Sequence, residues 1–150
     1  MREFKFRGKI IDHRTRFLKT LGYKVGDWIY GENISVEHDD IDPNKIHVFI
    51  CGIRVYPDTV GQCIGLEDYS DKYKAYEGDI VQDLDDGTLG IIYWDKKEAG
   101  FMIEIENFAV PAQDISYYQV IGNKWDNPEL LEQLERQKEN TEGEWKPFKE

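Results

Sequence analysis

The segment from His38 to Asp42 places one imidazole beside three carboxylates. Such a set of potential ligands can bind a divalent metal, and a bound metal would support a metal-dependent enzyme. A solvated loop between two strands explains the same residues. A calcium loop is excluded, because its sixth position would be Lys45 in place of glycine and its twelfth Cys51 in place of glutamate. We therefore assign no metal and no cofactor, and the metal-dependent enzyme stays as an alternative.

Signatures of other catalytic chemistry are missing from the sequence. It contains no G-x-S-x-G nucleophile motif, no G-x-G-x-x-G and no Walker loop. Cys51 and Cys63 lie among apolar residues without a C-x-x-C motif, so we interpret them as reduced core thiols. No catalytic residue is assigned, and the chain is more typical of a binding protein than of an enzyme.

Aromatic side chains on predicted strands are the main candidates for binding. They are Trp28, Tyr30, Tyr93, Trp94 and Tyr118. Large aromatic side chains bind protein partners or stack on bases. Because neighbouring residues of a strand point to opposite faces, one member of the Tyr93–Trp94 pair is expected in the core while the other is exposed. Packing within the sheet or an oligomer contact is nevertheless the favoured interpretation of these residues.

Charge is distributed unevenly along the chain. The net charge is −11, of which residues 1–24 contribute +6 and the remainder −17. An acidic protein repels phosphate backbones, which disfavours general binding of nucleic acid. The basic arm, with Arg2, Lys5 and Arg7 as candidate binding residues, either contacts phosphate or neutralises acidic groups within the fold. A nucleic-acid-associated protein stays as an alternative, as does an acidic mimic of DNA that occupies a host protein.

The elements that position these residues are mostly strands. Alternating and β-branched runs predict strands at residues 3–7, 26–37, 46–56, 80–84, 88–94, 101–106 and 117–121. The last four are expected to form an antiparallel meander that closes into a small SH3-like barrel. The predicted fold class is therefore mainly β, or β-rich α+β. It combines this antiparallel sheet or barrel with a second β-rich lobe at the N-terminus and a helix at the C-terminus.

The predicted organisation has four parts. They are a β-rich lobe at residues 1–57 with an inserted segment at 10–25, a barrel-like lobe at 58–126, a helix at 127–139 and an acidic flexible tail at 140–150. The insertion is either a short helix or irregular. Asn127 can cap the C-terminal helix and Pro128 suits its first position, where no N–H is needed.

A short echo links the two predicted lobes. Gly26-Asp27 precedes the apolar residue Trp28, and Gly78-Asp79 precedes Ile80. Glycine suits a tight turn, and aspartate binds nearby backbone N–H groups. Both lobes are therefore expected to open a strand in this way, although so few residues do not establish a repeat.

The cellular location is predicted from hydropathy. No run approaches the roughly 18 apolar residues that a membrane span requires. The first nine residues, MREFKFRGK, alternate charged and apolar positions and do not form a signal peptide. We expect a cytoplasmic protein in the host cell, with no membrane partner.

Several segments in a fixed order resemble the YopX family of phage and prophage proteins. They are Met1–Lys9, Gly26–Gly31, Thr59–Leu66, Tyr76–Val81, Gly100–Phe101, Val120–Asn123 and Asn127–Leu131. The sequence differs from the family pattern in its insertion at 10–25 and at Tyr69–Ala75, where the family has a short Asn-Gly turn. The resemblance implies a phage or prophage origin and a β-rich fold with a C-terminal helix. It implies no activity, so no site residue is transferred.

These observations favour a non-enzymatic binding or assembly module derived from a phage or prophage. Its expected partner is a host or phage protein, or a second copy in a homo-oligomer.

Overall fold

The chain divides into two compact units, Met1–Cys63 and Ile64–Glu150. The computed structural model describes residues 4–143, in which twelve strands and two α-helices are found. All described strand pairs are antiparallel. The predicted β-rich class is therefore confirmed. Neither of these helices is both long and apolar enough to cross a membrane.

Unit 1 contains two groups of strands and one short helix. Its elements are β1 (Phe6–Lys9), α1 (Thr15–Thr20), β2 (Trp28–Gly31), β3 (Ile34–His38), β4 (Ile46–Ile50), β5 (Ile53–Val55) and the start of β6 (Gly61–Glu67). Strand β1 pairs with β2 and with the first residues of β6, whereas β3, β4 and β5 form a separate sheet in that order. The helix α1 lies within the predicted insertion, and its Leu18 is part of the core of this unit.

Unit 2 is built on one five-stranded sheet. Its elements are β7 (Lys74–Tyr76), β8 (Asp79–Asp83), β9 (Leu89–Asp95), β10 (Gly100–Ile105), β11 (Phe108–Pro111), β12 (Tyr118–Asn123) and α2 (Pro128–Gly143). The strand order of the sheet is β11-β10-β9-β8-β12. The C-terminal helix is confirmed, and its described range ends at Gly143.

The antiparallel sheet was predicted correctly, but the described strands do not close it into an SH3-like barrel. Strand β12 does not continue the meander of β8, β9 and β10; it returns to pair with β8, as the last strand of a Greek key does. Strand β11 takes the outer position beside β10. The sheet thus ends in two different edge strands, which is why a barrel is not formed.

The Gly-Asp echo of the sequence corresponds to the same turn in both units. Gly26 has a φ of 91° and Gly78 a φ of 87°. The Asp27 carboxylate accepts the N–H of Lys24 at 3.0 Å, three residues before it. In unit 2, the Asp79 carboxylate accepts the N–H of Tyr76 at 2.8 Å, again three residues before it. Each turn leads directly into a strand, β2 or β8.

The two turns differ in their surroundings. A Cβ atom on Gly78 would lie 2.4 Å from the ring of Trp125, whereas a Cβ on Gly26 would meet nothing within 4 Å. A side chain at Gly26 is therefore opposed by backbone conformation alone. At Gly78, it is also opposed by a packed indole.

We predict that Gly78→Ala lowers the free energy of unfolding by about 2–5 kcal/mol, because left-handed strain and overpacking add. Gly26→Ala, the matched control, is expected to cost only about 1–2 kcal/mol from strain. Urea unfolding of both variants measures the difference. Equal losses would show that the Trp125 contact does not constrain position 78.

The helix α2 is held on the sheet by its second half. Leu134 is almost fully buried. The side-chain amide of Gln137 donates to the C=O of Leu89 at 3.1 Å and accepts its N–H at 3.0 Å. Leu89 lies one residue beyond the last β9–β10 pair, Gly90 with Ile105. Gln137 thus satisfies the backbone groups of Leu89 on the side where the β9–β10 pairing has ended.

We expect Gln137→Ala to lower the free energy of unfolding by about 1–3 kcal/mol, because two partly buried backbone groups lose their hydrogen bonds. Gln133→Ala, on the exposed side of the same helix, is expected to stay within about 0.5 kcal/mol of the parent chain. Chemical denaturation of the two variants tests this. A Gln137→Ala variant as stable as its control would contradict the role of the amide.

Candidate functional site

The first strand pair of unit 1 brings predicted cations and aromatics together on one face. Arg7 lies opposite Tyr30, and Lys9 lies opposite Trp28. Because alternate residues of a strand share a face, these four side chains project to the same side. We call Arg7, Lys9, Trp28 and Tyr30 the cation–aromatic face.

Cation–π contacts organise this face. The Arg7 guanidinium lies 4.7 Å from the centroid of the Trp28 ring, and the Lys9 ammonium lies 5.5 Å from it. Both distances suit attraction between a cation and an indole. The opposite side of β1 packs on the core, since a Cβ on Gly8 would lie 2.9 Å from Val55. The glycine therefore determines which side of β1 carries the cations.

The members of the face differ in exposure. Tyr30 is 47% exposed, whereas Arg7 is only 5% exposed. Lys9 and Trp28 are half-buried, as is Lys5, whose carbonyl accepts the N–H of Cys63 at 2.8 Å. Arg7 thus acts as a buried support for the indole and not as a group presented to solvent. Arg2 lies outside the described residues.

A second cation of the basic arm is used within the fold. Arg14 donates from Nε to the buried carboxylate of Asp12 at 2.9 Å and from Nη2 to the carbonyl of Gly52 at 2.9 Å. Asp12 also accepts the N–H of Arg54 at 3.2 Å. These hydrogen bonds, that of the Arg14 side chain first, hold the pKa of Asp12 well below its ordinary value of 3.8. The charge of Arg14 is therefore balanced inside unit 1.

We predict that Asp12→Asn destabilises unit 1 at neutral pH and that the deficit disappears in acid. A carboxyl whose pKa is lower in the folded state stabilises it above the unfolded value, and this stabilisation falls as pH drops toward the folded value. Urea midpoints of the two proteins should therefore converge below about pH 4. A gap that stays constant from neutral pH into this range would contradict the prediction.

In unit 2, Trp94 is the exposed aromatic of its pair. It is 45% exposed, and its ring meets Phe101 edge-on, with centroids 5.0 Å apart and an interplanar angle of 74°. The two residues lie directly opposite each other on β9 and β10. We call them the Trp94–Phe101 pair. Phe101 was not predicted as a binding residue. The available signal was its position directly after the polar turn at 95–100, across from Trp94.

The other predicted aromatics of unit 2 face inward. Tyr93 donates its hydroxyl to Asp95 at 3.2 Å, and burial together with this carboxylate raises the pKa of Tyr93. Tyr118 is 6% exposed and belongs to the core, where burial raises its pKa. Their hydroxyls are therefore held protonated and partly or wholly covered.

A cavity of about 340 Å³ lies beside Tyr93. Its polar lining includes Glu104, which forms an ion pair with Lys138 of α2. The carboxylate and the ammonium neutralise each other. The pair fastens α2 to the sheet, and it does not present a lone acid or base to the cavity.

The acidic loop after β3 is stabilised by its own backbone. The Asp39 carboxylate accepts the N–H groups of Ile41 and Asp42 at 2.8 and 3.0 Å and the Nε2–H of His47 at 2.9 Å. These hydrogen bonds hold the pKa of Asp39 well below its ordinary value. Nδ1 of His47 accepts from Arg54 at 2.8 Å. Across residues 4–143, no three His, Cys, Asp or Glu side chains come together as metal ligands.

Cys51 and Cys63 have different environments. Cys63 is buried, as predicted, but Cys51 is exposed. Cys51 has a φ of 50° and joins Gly52 in the turn between β4 and β5. The prediction of a core thiol was wrong for Cys51. The apolar run at 46–56 turns back on itself between β4 and β5, and the residues of that turn lie outside the core.

The predicted binding residues therefore fall into two groups. Unit 1 collects Lys5, Arg7, Trp28 and Tyr30 around the cation–aromatic face, and unit 2 presents Trp94. Comparison with curated proteins gave no match. The sequence matches the family described as YopX protein over residues 6–132. This match covers most of the chain, so the chain belongs to the YopX family.

Proposed function

We propose that this YopX-family chain is a non-enzymatic binding module of phage type that binds a host or phage protein. The observation that carries the proposal is the Trp94–Phe101 pair. A tryptophan that is 45% exposed yet braced by a second ring offers a large apolar surface with little loss of side-chain entropy on binding. Tryptophan is among the residues that contribute most to protein interfaces.

The charged groups best placed for chemistry support binding over catalysis. Asp12 is bound by Arg14, Asp39 by His47, and Glu104 by Lys138. Each carboxylate is satisfied by a neighbour in its own unit. General acid–base catalysis instead needs a group aimed at a substrate atom within hydrogen-bond distance.

The experiment is a tagged pull-down of the full chain from host lysate, with and without nuclease, read by quantitative mass spectrometry. We predict a stoichiometric protein partner that survives nuclease and is reduced at least tenfold by Trp94→Ala. Loss of a central interface tryptophan commonly costs 2 kcal/mol or more, which is about thirtyfold in affinity. Tyr117→Ala is the matched control, since Tyr117 is an exposed aromatic of the same unit.

Two outcomes would count against this proposal, and a third would identify the mode of binding. Partners that vanish with nuclease would favour the nucleic-acid alternative. A captured host enzyme of nucleic-acid metabolism that competes with DNA would identify the chain as a DNA mimic. Equal capture by the Trp94→Ala and Tyr117→Ala variants would remove the Trp94–Phe101 pair as the contact surface.

A further inference from the structure

Strand β3 forms an outer edge of the three-stranded sheet in unit 1. It pairs with β4 in an unbroken register, from Ile34 opposite Ile50 to His38 opposite Ile46. Among the strands in residues 4–143, β4 is the one that pairs with it. The other side of β3 is a row of backbone groups that a further strand can meet.

Backbone hydrogen bonds identify the groups on that side. The N–H of Cys51 donates to Asn33 at 2.8 Å, and the N–H of Asp39 donates to Lys45 at 2.9 Å. Because hydrogen-bonded and non-hydrogen-bonded positions alternate in an antiparallel pair, every second residue of β3 faces away from β4. The outward N–H and C=O groups are those of Ile34, Val36 and His38.

Two other edge strands carry protection that β3 does not have. The outward positions of β11 are Ala109 and Pro111, and proline has no N–H to offer. In β12, the N–H of Val120 donates to the Asp68 carboxylate at 3.1 Å. The sequence of β3 is Ile-Ser-Val-Glu-His, with no proline and no lysine to discourage pairing. The outer edge of β3 is therefore open to pairing, with Glu37 as its acidic side chain.

The chemistry around β3 selects the kind of partner strand. Residues 32–42 contain five Asp or Glu and no Lys or Arg. Glu37 is exposed on one face of β3, and Val36 is 55% exposed on the other. Side chains directly opposite each other on neighbouring strands interact as pairs. A strand laid beside β3 therefore meets a carboxylate on one face and a valine on the other.

We propose that β3 binds an extended basic segment of a partner protein by strand addition, with Lys or Arg beside Glu37 and β-branched residues beside Val36. A second copy of this chain is disfavoured, since β3 against β3 would place two acidic edges together. The inference names partner chemistry for a surface in unit 1 and rests on the proposed binding function for its biological role.

The test is an NMR titration of the full ¹⁵N-labelled chain with the peptide acetyl-(Lys-Val)₃-amide. We expect chemical-shift changes centred on the amides of Ile34, Val36 and His38. Two modified peptides carry N-methyl groups on every lysine or on every valine, which blocks opposite edges of the peptide. One of them should bind at least tenfold more weakly and the other nearly as well as the parent, because only one edge pairs with β3.

Charge is tested by a matched pair of variants. Glu37→Lys should weaken peptide binding about tenfold at low salt. Glu135→Lys makes the same charge change at an exposed position of helix α2 and should leave peptide binding unchanged.

The inference is overturned if millimolar peptide leaves the β3 amides unshifted, if both N-methylated peptides bind alike, or if the two variants behave alike. If the β3 amides become protected from hydrogen exchange as the protein concentration rises in the absence of peptide, a second copy of the chain is the occupant. That result would also overturn the inference. Trp94→Ala should not change peptide binding. If the peptide binds but the pull-down finds no partner, the proposed function alone is contradicted. If the pull-down finds a partner but the peptide does not bind, strand addition alone is contradicted.

Discussion

Gly78 has no side chain, and the indole of Trp125 occupies the place where one would lie. The backbone of this residue links three parts of unit 2: its N–H donates to Ile92 in β9, and its C=O accepts the N–H of Lys124 beyond β12. With a φ of 87°, the residue also makes the turn that lets Asp79 bind the backbone of Tyr76. The start of β8, the middle of β9 and the approach to α2 therefore depend on one position that must be glycine.

The residues that carry the family resemblance have physical roles in such turns. Gly122 leaves space for the side chain of Asn127, whose Oδ1 would lie 2.4 Å from a Cβ at that position. The same oxygen accepts the N–H of Asn123 at 3.1 Å, so Asn127 does not cap the helix through its side chain as the sequence suggested. Conformational requirements of the backbone account for these motif residues without a ligand.

Much of the fold was predictable because its strands are β-branched, aromatic or alternating runs between turn residues. The runs at 80–84, 88–94 and 101–106 were recognised for this reason. Strands β6, β7 and β11 were missed, since β6 contains two glycines, β7 has three residues and β11 ends in Pro111. These segments become strands through their neighbours and not through their own pattern.

The site was predictable in residue type but not in arrangement. Residue type alone identifies Arg7, Trp28 and Tyr30 as candidates, yet their common face depends on the register of β1 with β2, which the sequence does not state. Burial was equally hidden, because Arg7 and Tyr118 look like surface and interface residues until their neighbours are known. Charge is divided less sharply between the two units than between residues 1–24 and the remainder: Met1–Cys63 carries +1 and Ile64–Glu150 carries −12.

The contacts of α2 with the sheet limit which insertions and deletions the first half of the helix can tolerate. Leu134, Gln137 and Lys138 reach their contacts only in one rotation of the helix, and each residue turns an α-helix by about 100°. A single-residue insertion between Pro128 and Leu134 would swing all three away from the sheet. An insertion or deletion there is tolerated only in steps close to a whole helical turn, a periodic requirement that the turn at 95–100 between β9 and β10 does not have.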